Sequence, residues 1–220
     1  MNPPVHYAYL HGFASSPRSK KGVALAEAFS ARGLTLALLD LNRPSFGKLT
    51  LSAQLEEVAR WAADKERISL IGSSMGGWVA ARFAETNISK IERLVLLAPG
   101  FEMVTRWPKL VGPQGMAAWR AHGAFPFPDA DKKPTPVHWG FLEDALTLPT
   151  SPRPAVPTLV IHGSNDEVVP VETSRAWLAA HPRPELVRLV EVDDDHQLTA
   201  STARITSEVF DFFDLTPSTP

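Results

Sequence analysis

The chain contains no cysteine among its 220 residues, so neither a disulfide framework nor a thiolate metal site is open to it. That absence is neutral about compartment. A basic excess is missing as well. Lys and Arg number 22 against 24 Asp and Glu, a formal net charge of −2. The cations are scattered rather than gathered, which argues against nucleic acid as a partner. No apolar run reaches the length of a membrane span, so no membrane partner is expected. Met1-Asn2-Pro3-Pro4 leads straight into a strand-like segment, with no basic region followed by an apolar one, and the expectation is a soluble, cytoplasmic protein. There is no Gly-rich phosphate-binding fingerprint, internal repeat or low-complexity tract, so a nucleotide cofactor is not expected. What the chain does have is 44% hydrophobic content, enough at this length for one full core, and residues 1–220 read as a single domain.

Along the chain, short apolar runs alternate with amphipathic ones. Val5 to Leu10 reads as a strand ending at His11-Gly12-Phe13, followed by the polar loop Ala14 to Ser19. Val23, Leu25, Ala26, Phe29 and Ala31 suggest a helix that stops at Gly33. Leu34 to Leu39 is a second strand. Leu51, Leu55, Val58 and Ala62 recur at helical spacing on one face, with Glu56, Glu57, Arg60 and Asp64 elsewhere. Further strands are expected around Ile68–Ile71, at Leu94–Ala98, Thr158–His162 and Leu186–Val192. A helix is expected around Val171–Ala180, and a last one carries Ile205, Val209, Phe212 and Phe213 inward. The tail from Leu215 to Pro220 reads as frayed. Strands apolar on both faces and separated by helices predict an α/β fold, a parallel sheet covered on both sides.

The pattern is interrupted between about residues 100 and 156. This stretch holds nine of the 20 prolines and three of the six tryptophans, with short helices expected at Met116–Ala121 and Gly140–Leu146. A long insertion of this kind between core strands is more often functional than idle, and it reads as a small cap. Trp107, Trp119, Phe125 and Trp139, with Leu110, are the expected apolar pocket walls. A second layer of ordinary packing is the plainer alternative.

Ser69 to Ala81 carries the chemistry. An apolar β-branched run turns through Gly72-Ser73-Ser74-Met75-Gly76 and continues as an Ala-rich segment, G-x-S-x-G in strand–turn–helix order. A serine at the tip of a sharp, strained turn needs small neighbours, because strand and helix pass close together there. Ser74 is the candidate nucleophile, at a helix N-terminus that favours developing negative charge. A Gly/Ser turn that merely joins two elements would look similar, so the partners decide. A serine nucleophile needs a base, an acid that orients the base, and donors for the oxyanion. In such folds the order is Ser, then Asp or Glu, then His, each after a strand. Asp166, in His162-Gly163-Ser164-Asn165-Asp166-Glu167-Val168, is the candidate acid. Glu167 is a near alternative and Glu102 a remote one, and the plainer reading of Asp166 is a turn residue or helix cap. His196, between the last strand and the last helix, is the candidate base; otherwise it is a surface histidine beside Asp193, Asp194 and Asp195. Those three aspartates read as solvated or helix-capping rather than as a metal site. His6, His122, His138 and His181 fit no motif position, and His162-Gly163 marks a strand end beside the acid loop. The N–H groups of Phe13 and Met75 are the expected oxyanion hole, with the Phe13 ring lining the acyl side.

With Leu10-His11-Gly12-Phe13 and Ser15-Ser16-Pro17-Arg18-Ser19 in front of these motifs, the chain resembles the small bacterial esterases of the α/β-hydrolase superfamily. Their His-Gly-Phe-x-Ser-Ser-Pro, Gly-x-Ser-x-Gly-Gly, Asp-Glu-Val and late-His elements all have counterparts. His196 lies in Asp-Asp-His-Gln rather than the commoner Gly-x-His, and the first strands of the full-length fold are absent. The resemblance implies a minimal α/β-hydrolase fold of about six strands. It implies a Ser-His-Asp serine hydrolase, a carboxylesterase or thioesterase acting on small to medium acyl substrates without cofactor or metal. Carbon–carbon bond hydrolysis, perhydrolysis or acyl transfer by the same triad, and a non-catalytic binding role, stay open.

Overall fold

The computed structural model describes residues 3–215, so the expectation of a frayed tail falls, beyond Leu215, outside the described residues. The chain runs β1 (Val5–Leu10), α1 (Lys20–Ser30), β2 (Leu36–Leu39), α2 (Leu51–Ala62), β3 (Arg67–Ser73), α3 (Met75–Thr86) and β4 (Ile91–Leu97). It continues through α4 (Met103–His122), β5 (Ala124–Pro128), β6 (Pro134–His138) and α5 (Gly140–Leu146). It closes with β7 (Thr158–Gly163), α6 (Glu172–Ala179), β8 (Val187–Val192) and α7 (Thr202–Phe212). Six strands form one sheet in the order β2-β1-β3-β4-β7-β8, and every pair is parallel.

The period of two along each strand sorts the core. Ala8, Leu10, Ile68, Leu70, Leu94, Leu96 and Val160 point to the side of α2 and α3. Tyr9, Ile71, Val95, Leu97, Leu159 and Ile161 point to the other, against Leu25 and Phe29 of α1 and Ile205, Val209 and Phe210 of α7. With an apolar side chain on each face the strands cannot tolerate solvent on either, which is why helices cover both. The polar ends of the strands are thereby confined to the loops. The loops after β1, β3, β4, β7 and β8 all emerge at the same, carboxyl edge, where such sheets hold their ligands.

Between β4 and β7 the chain leaves the sheet. The expected helix at Met116–Ala121 is the second half of a longer α4, broken where Gly112 takes φ 76° and ψ 162° next to Pro113. Proline has no N–H to donate and clashes with the preceding turn, so the axis restarts there. β5 and β6 form an antiparallel ribbon that the sequence did not announce. Its prolines face each other, Pro126 opposite Pro136 and Pro128 opposite Pro134. Opposed residues in such a ribbon alternate between bonded and non-bonded pairs, so prolines on one alternation leave the ladder to Phe125–Val137 and Phe127–Thr135. Among the described residues, no helix is long and apolar enough to cross a membrane.

Candidate active site

The turn between β3 and α3 sets the geometry. Ser74 sits at φ 54° and ψ −120°, a conformation that costs an ordinary residue free energy and persists only where its surroundings over-determine it. Here they do. The Ser74 N–H donates to the Leu97 carbonyl at 2.9 Å, and the Ser74 carbonyl accepts from Gly77 and Gly100, each at 2.8 Å. A side chain on Gly76 would collide with the Leu10 and His11 carbonyl oxygens, so only glycine lets α3 start against the end of β1.

The Ser74 hydroxyl donates to His196 Nε2 at 3.0 Å, and His196 Nδ1–H donates to Asp166 Oδ2 at 2.7 Å. A carboxylate can only accept, so the proton lies on Nδ1 and leaves Nε2 free to take one from serine. Asp166 is buried and folds back on its own loop, Oδ1 accepting from the Val168 and Val169 N–H groups at 2.9 and 2.7 Å. The structure thus brings Ser74, His196 and Asp166 into one hydrogen-bonded line. Glu167 and Glu102 are not in it. Gly163 makes room for the base, because a Cβ there would strike the Asp194 and Asp195 carbonyls of the loop that carries His196. The aspartates before His196 shape that loop: Asp194 caps the Asp195 and Ser201 N–H groups, Asp195 caps Gln197, and Asp193 accepts from the Asn165 side chain.

One participant went unrecognised in the sequence. His162, fully buried at the end of β7, donates through Nε2–H to the Val169 carbonyl at 2.8 Å and to Asp166 Oδ2 at 3.1 Å, while Ser174 Oγ donates to its Nδ1 at 2.7 Å. Asp166 is therefore held between two imidazoles. Burial alone would raise its pKa. The hydrogen bonds from His162 and His196, the charge of His196 and the Val169 N–H outweigh it and keep the carboxyl well below the usual carboxylate range. The proximity of His162 to the acid loop was legible; its bond to the acid needed β7 and α6 in place.

His11 is also structural. Its Nε2 accepts from the Leu41 N–H at 3.1 Å and its Nδ1–H donates to the Gly12 carbonyl at 2.9 Å. Burial lowers its pKa, consistent with a neutral ring. Because a trans peptide sets C=O and N–H on opposite sides, holding the Gly12 carbonyl turns the Phe13 N–H the other way. Neither the Phe13 nor the Met75 N–H has a partner among the described residues.

A cavity of about 560 Å³ opens beside Ser74 and His196, and Phe13 is on its wall. Trp107, Trp119, Phe125 and Trp139 are not among its lining residues. Trp119 is fully buried, with its indole N–H on the Val137 carbonyl at 2.9 Å, and packs among Trp107, Phe125, Phe127, Trp139 and Phe141. Leu110 is 60% exposed. The expected walls are instead part of the core on the α2 and α3 side of the sheet, where Trp107, Trp119, Phe127 and Phe141 join Phe46, Leu49 and Leu51, because a bent helix and a two-stranded ribbon bury too little apolar surface alone. The Phe13 ring joins that core edge-on, 5.2 Å from Trp107 and 5.5 Å from Phe127. What the insertion brings to the cavity is the tip of its ribbon, Ala130 and Lys132. The rest of the lining includes Ser15, Ser16, Arg18, Ser19, Lys20 and Lys21. Burial lowers the Lys21 ammonium to about 8, against the opposing pull of Asp166, Asp194 and Asp195.

The sequence matches one family over residues 6–213. The chain belongs to the uncharacterised protein family UPF0227. Beyond that family, this UPF0227 chain is 24% identical over 206 residues to the rat mitochondrial palmitoyl-protein thioesterase ABHD10, covering 86% of this chain and 68% of the rat protein. The structure of mouse alpha/beta hydrolase domain-containing protein 10 superposes with a TM-score of 0.72 at 20% identity, covering 97% of this chain and 92% of that one. Est1E from Butyrivibrio proteoclasticus, solved with ferulic acid bound, gives 0.72 at 20% identity over 96% and 88%. These likenesses show that the UPF0227 chain has the α/β-hydrolase fold, with the six-stranded parallel sheet expected of its minimal form.

Proposed function

We propose that this chain is a serine hydrolase that cleaves carboxylic esters or thioesters through an acyl-enzyme, in the manner of a carboxylesterase or thioesterase. The observation that carries the reading is the unbroken line Asp166–His196–Ser74 at the tip of the β3–α3 turn. Ser74 Oγ attacks the acyl carbon as its proton passes to His196 Nε2, and Asp166 holds the imidazolium that results. The carbonyl oxygen becomes an oxyanion, stabilised by the unpartnered Phe13 and Met75 N–H groups. His196 then returns its proton to the leaving alcohol or thiol. A water molecule, deprotonated by the same histidine, releases the acid and restores Ser74. No cofactor or metal enters these steps. In this reading residues 1–220 act as one domain of a cytoplasmic enzyme and residues 100–156 cap the site, supported by the two ribbon-tip residues on the cavity wall.

The test is hydrolysis of a p-nitrophenyl ester series from acetate to palmitate by wild type and Ser74→Ala. Turnover in the wild type that falls by several orders of magnitude in the variant, with unchanged thermal unfolding, is the expected result. Residual activity within about tenfold of wild type would refute the assignment. Labelling of Ser74 by a fluorophosphonate, located by peptide mass spectrometry, would exclude a purely binding role.

A further inference from the structure

The cavity beside Ser74 has a charge balance opposite to that of the chain as a whole. Acidic residues outnumber basic ones in the sequence, yet the lining holds Arg18, Lys20, Lys21 and Lys132 and no carboxylate. Arg18, Lys20 and Lys21 come from one stretch, the end of the loop after β1 and the first turn of α1, and Lys132 comes from the turn between β5 and β6. None has a carboxylate within ion-pair distance among the described residues, although most other arginines of the fold do. Asp166, Asp194 and Asp195 partly offset the charge of Lys21, but no carboxylate pairs directly with any of the four, and cations gathered around one concavity repel each other and favour an anion between them. A neutral group there agrees. Ser16 Oγ accepts from the Arg18 N–H at 3.3 Å, so its hydroxyl keeps its proton to donate. The same cavity contains Ser74 and His196, so a group held by the cations belongs to the molecule whose carbonyl reaches the serine.

We infer that the substrate is an anionic ester or thioester, whose carboxylate or phosphate is held by Arg18, Lys20, Lys21 and Lys132 while its acyl carbon lies against Ser74. This rests on the serine-hydrolase reading and narrows it. The anion can sit on the acyl part or on the leaving group, and paired substrates separate the two. For the acyl side, mono-p-nitrophenyl glutarate is compared with p-nitrophenyl valerate. For the leaving group, butyryl-coenzyme A is compared with butyryl-N-acetylcysteamine.

In at least one pair, kcat/KM for the anionic member exceeds that for its neutral partner by roughly tenfold or more, the scale of one partly buried charge-assisted contact. The ratio falls as salt is raised, because exposed charges are screened. Lys21→Met lowers the same ratio by about tenfold. Since Lys21 is partly buried, the exposed pair Arg18→Ser with Lys132→Ser gives an independent reading and lowers it several-fold. Arg204→Ser on α7, away from the cavity, leaves the ratio unchanged and controls for net charge. Ratios near or below one in both pairs, or ratios unmoved by all the cavity variants, would overturn the anionic substrate while leaving the hydrolase reading intact. Failure to turn over either member of either pair by folded wild-type protein would remove both.

Discussion

The loops at the carboxyl edge of the sheet and the insertion between β4 and β7 are held in place by different means. The edge loops are short and are held by backbone and carboxylate hydrogen bonds. Ser74 is fixed by four backbone hydrogen bonds, Asp166 by two N–H groups and two imidazoles, and the His196 loop by its own aspartates. The insertion is held at its centre by rings around Trp119, edge-on to Trp107 and Phe127 and stacked on Phe141. Polar residues on a rigid frame can be spent on chemistry. The insertion's aromatic residues are used up in joining its helix and ribbon to the core on the α2 and α3 side of the sheet. The aromatic richness that suggested a pocket therefore marks a scaffold, and the insertion meets the cavity through its polar tip.

Substitutions in the two regions should fail in different ways. The largest effect is expected from Asp166→Asn, which leaves the line of groups in place but removes the charge that sets the imidazole tautomer. Its kcat on p-nitrophenyl esters should fall roughly 10³–10⁴-fold, as steady-state kinetics will measure. The same variant has a pH signature. The Asp166 carboxyl is held below its unfolded value of about 3.9, so it adds stability above that pH and loses it as pH falls toward the folded value. The advantage of wild type over Asp166→Asn in urea unfolding should shrink between about pH 6 and pH 3; a constant gap would contradict the assigned direction.

Trp119→Ala tests the other region. Removing a fully buried indole should cost about 3–5 kcal/mol in denaturant unfolding, while kcat per folded molecule stays within about tenfold. A variant of normal stability and no activity would invert the contrast. His162→Asn is intermediate. This side chain acts through Asp166 and should lower kcat by about tenfold with little change in KM, the scale of one buried hydrogen bond to a charge. In an Asp166→Asn background the same change should cost kcat almost nothing, whereas a merely structural histidine would give additive losses. The smallest effect belongs to Leu110→Ser. With its side chain mostly in solvent, stability should move by less than about 0.5 kcal/mol and the acyl-length profile should not shift.

Most of what was legible in the chain was local. The strands at Val5–Leu10, Thr158–His162 and Leu186–Val192 could be read because a buried parallel strand must be apolar on both faces, and the expected bounds lie within a residue of β1, β7 and β8. The elbow could be read because Gly72, Ser74, Gly76 and Gly77 stand together in strand–turn–helix order, although the contacts that demand glycine at position 76 come from Leu10 and His11. The ribbon β5–β6 could not, since four prolines argue against strands until each is seen opposite another. Nor could the pocket wall, because an aromatic residue carries the same local signature whether it faces a ligand or a neighbour.

By itself, then, the sequence determined the alternation of strand and helix, the glycine-flanked turn at Ser74 and the order in which Ser74, Asp166 and His196 follow. These depend on side-chain period and on contacts between near neighbours. Only the tertiary structure decided that His162 shares Asp166 with His196, that the tryptophans face one another, and that Arg18, Lys20, Lys21 and Lys132 surround one cavity. Each of those facts joins residues from separate elements, and distance between them is set by how the elements pack.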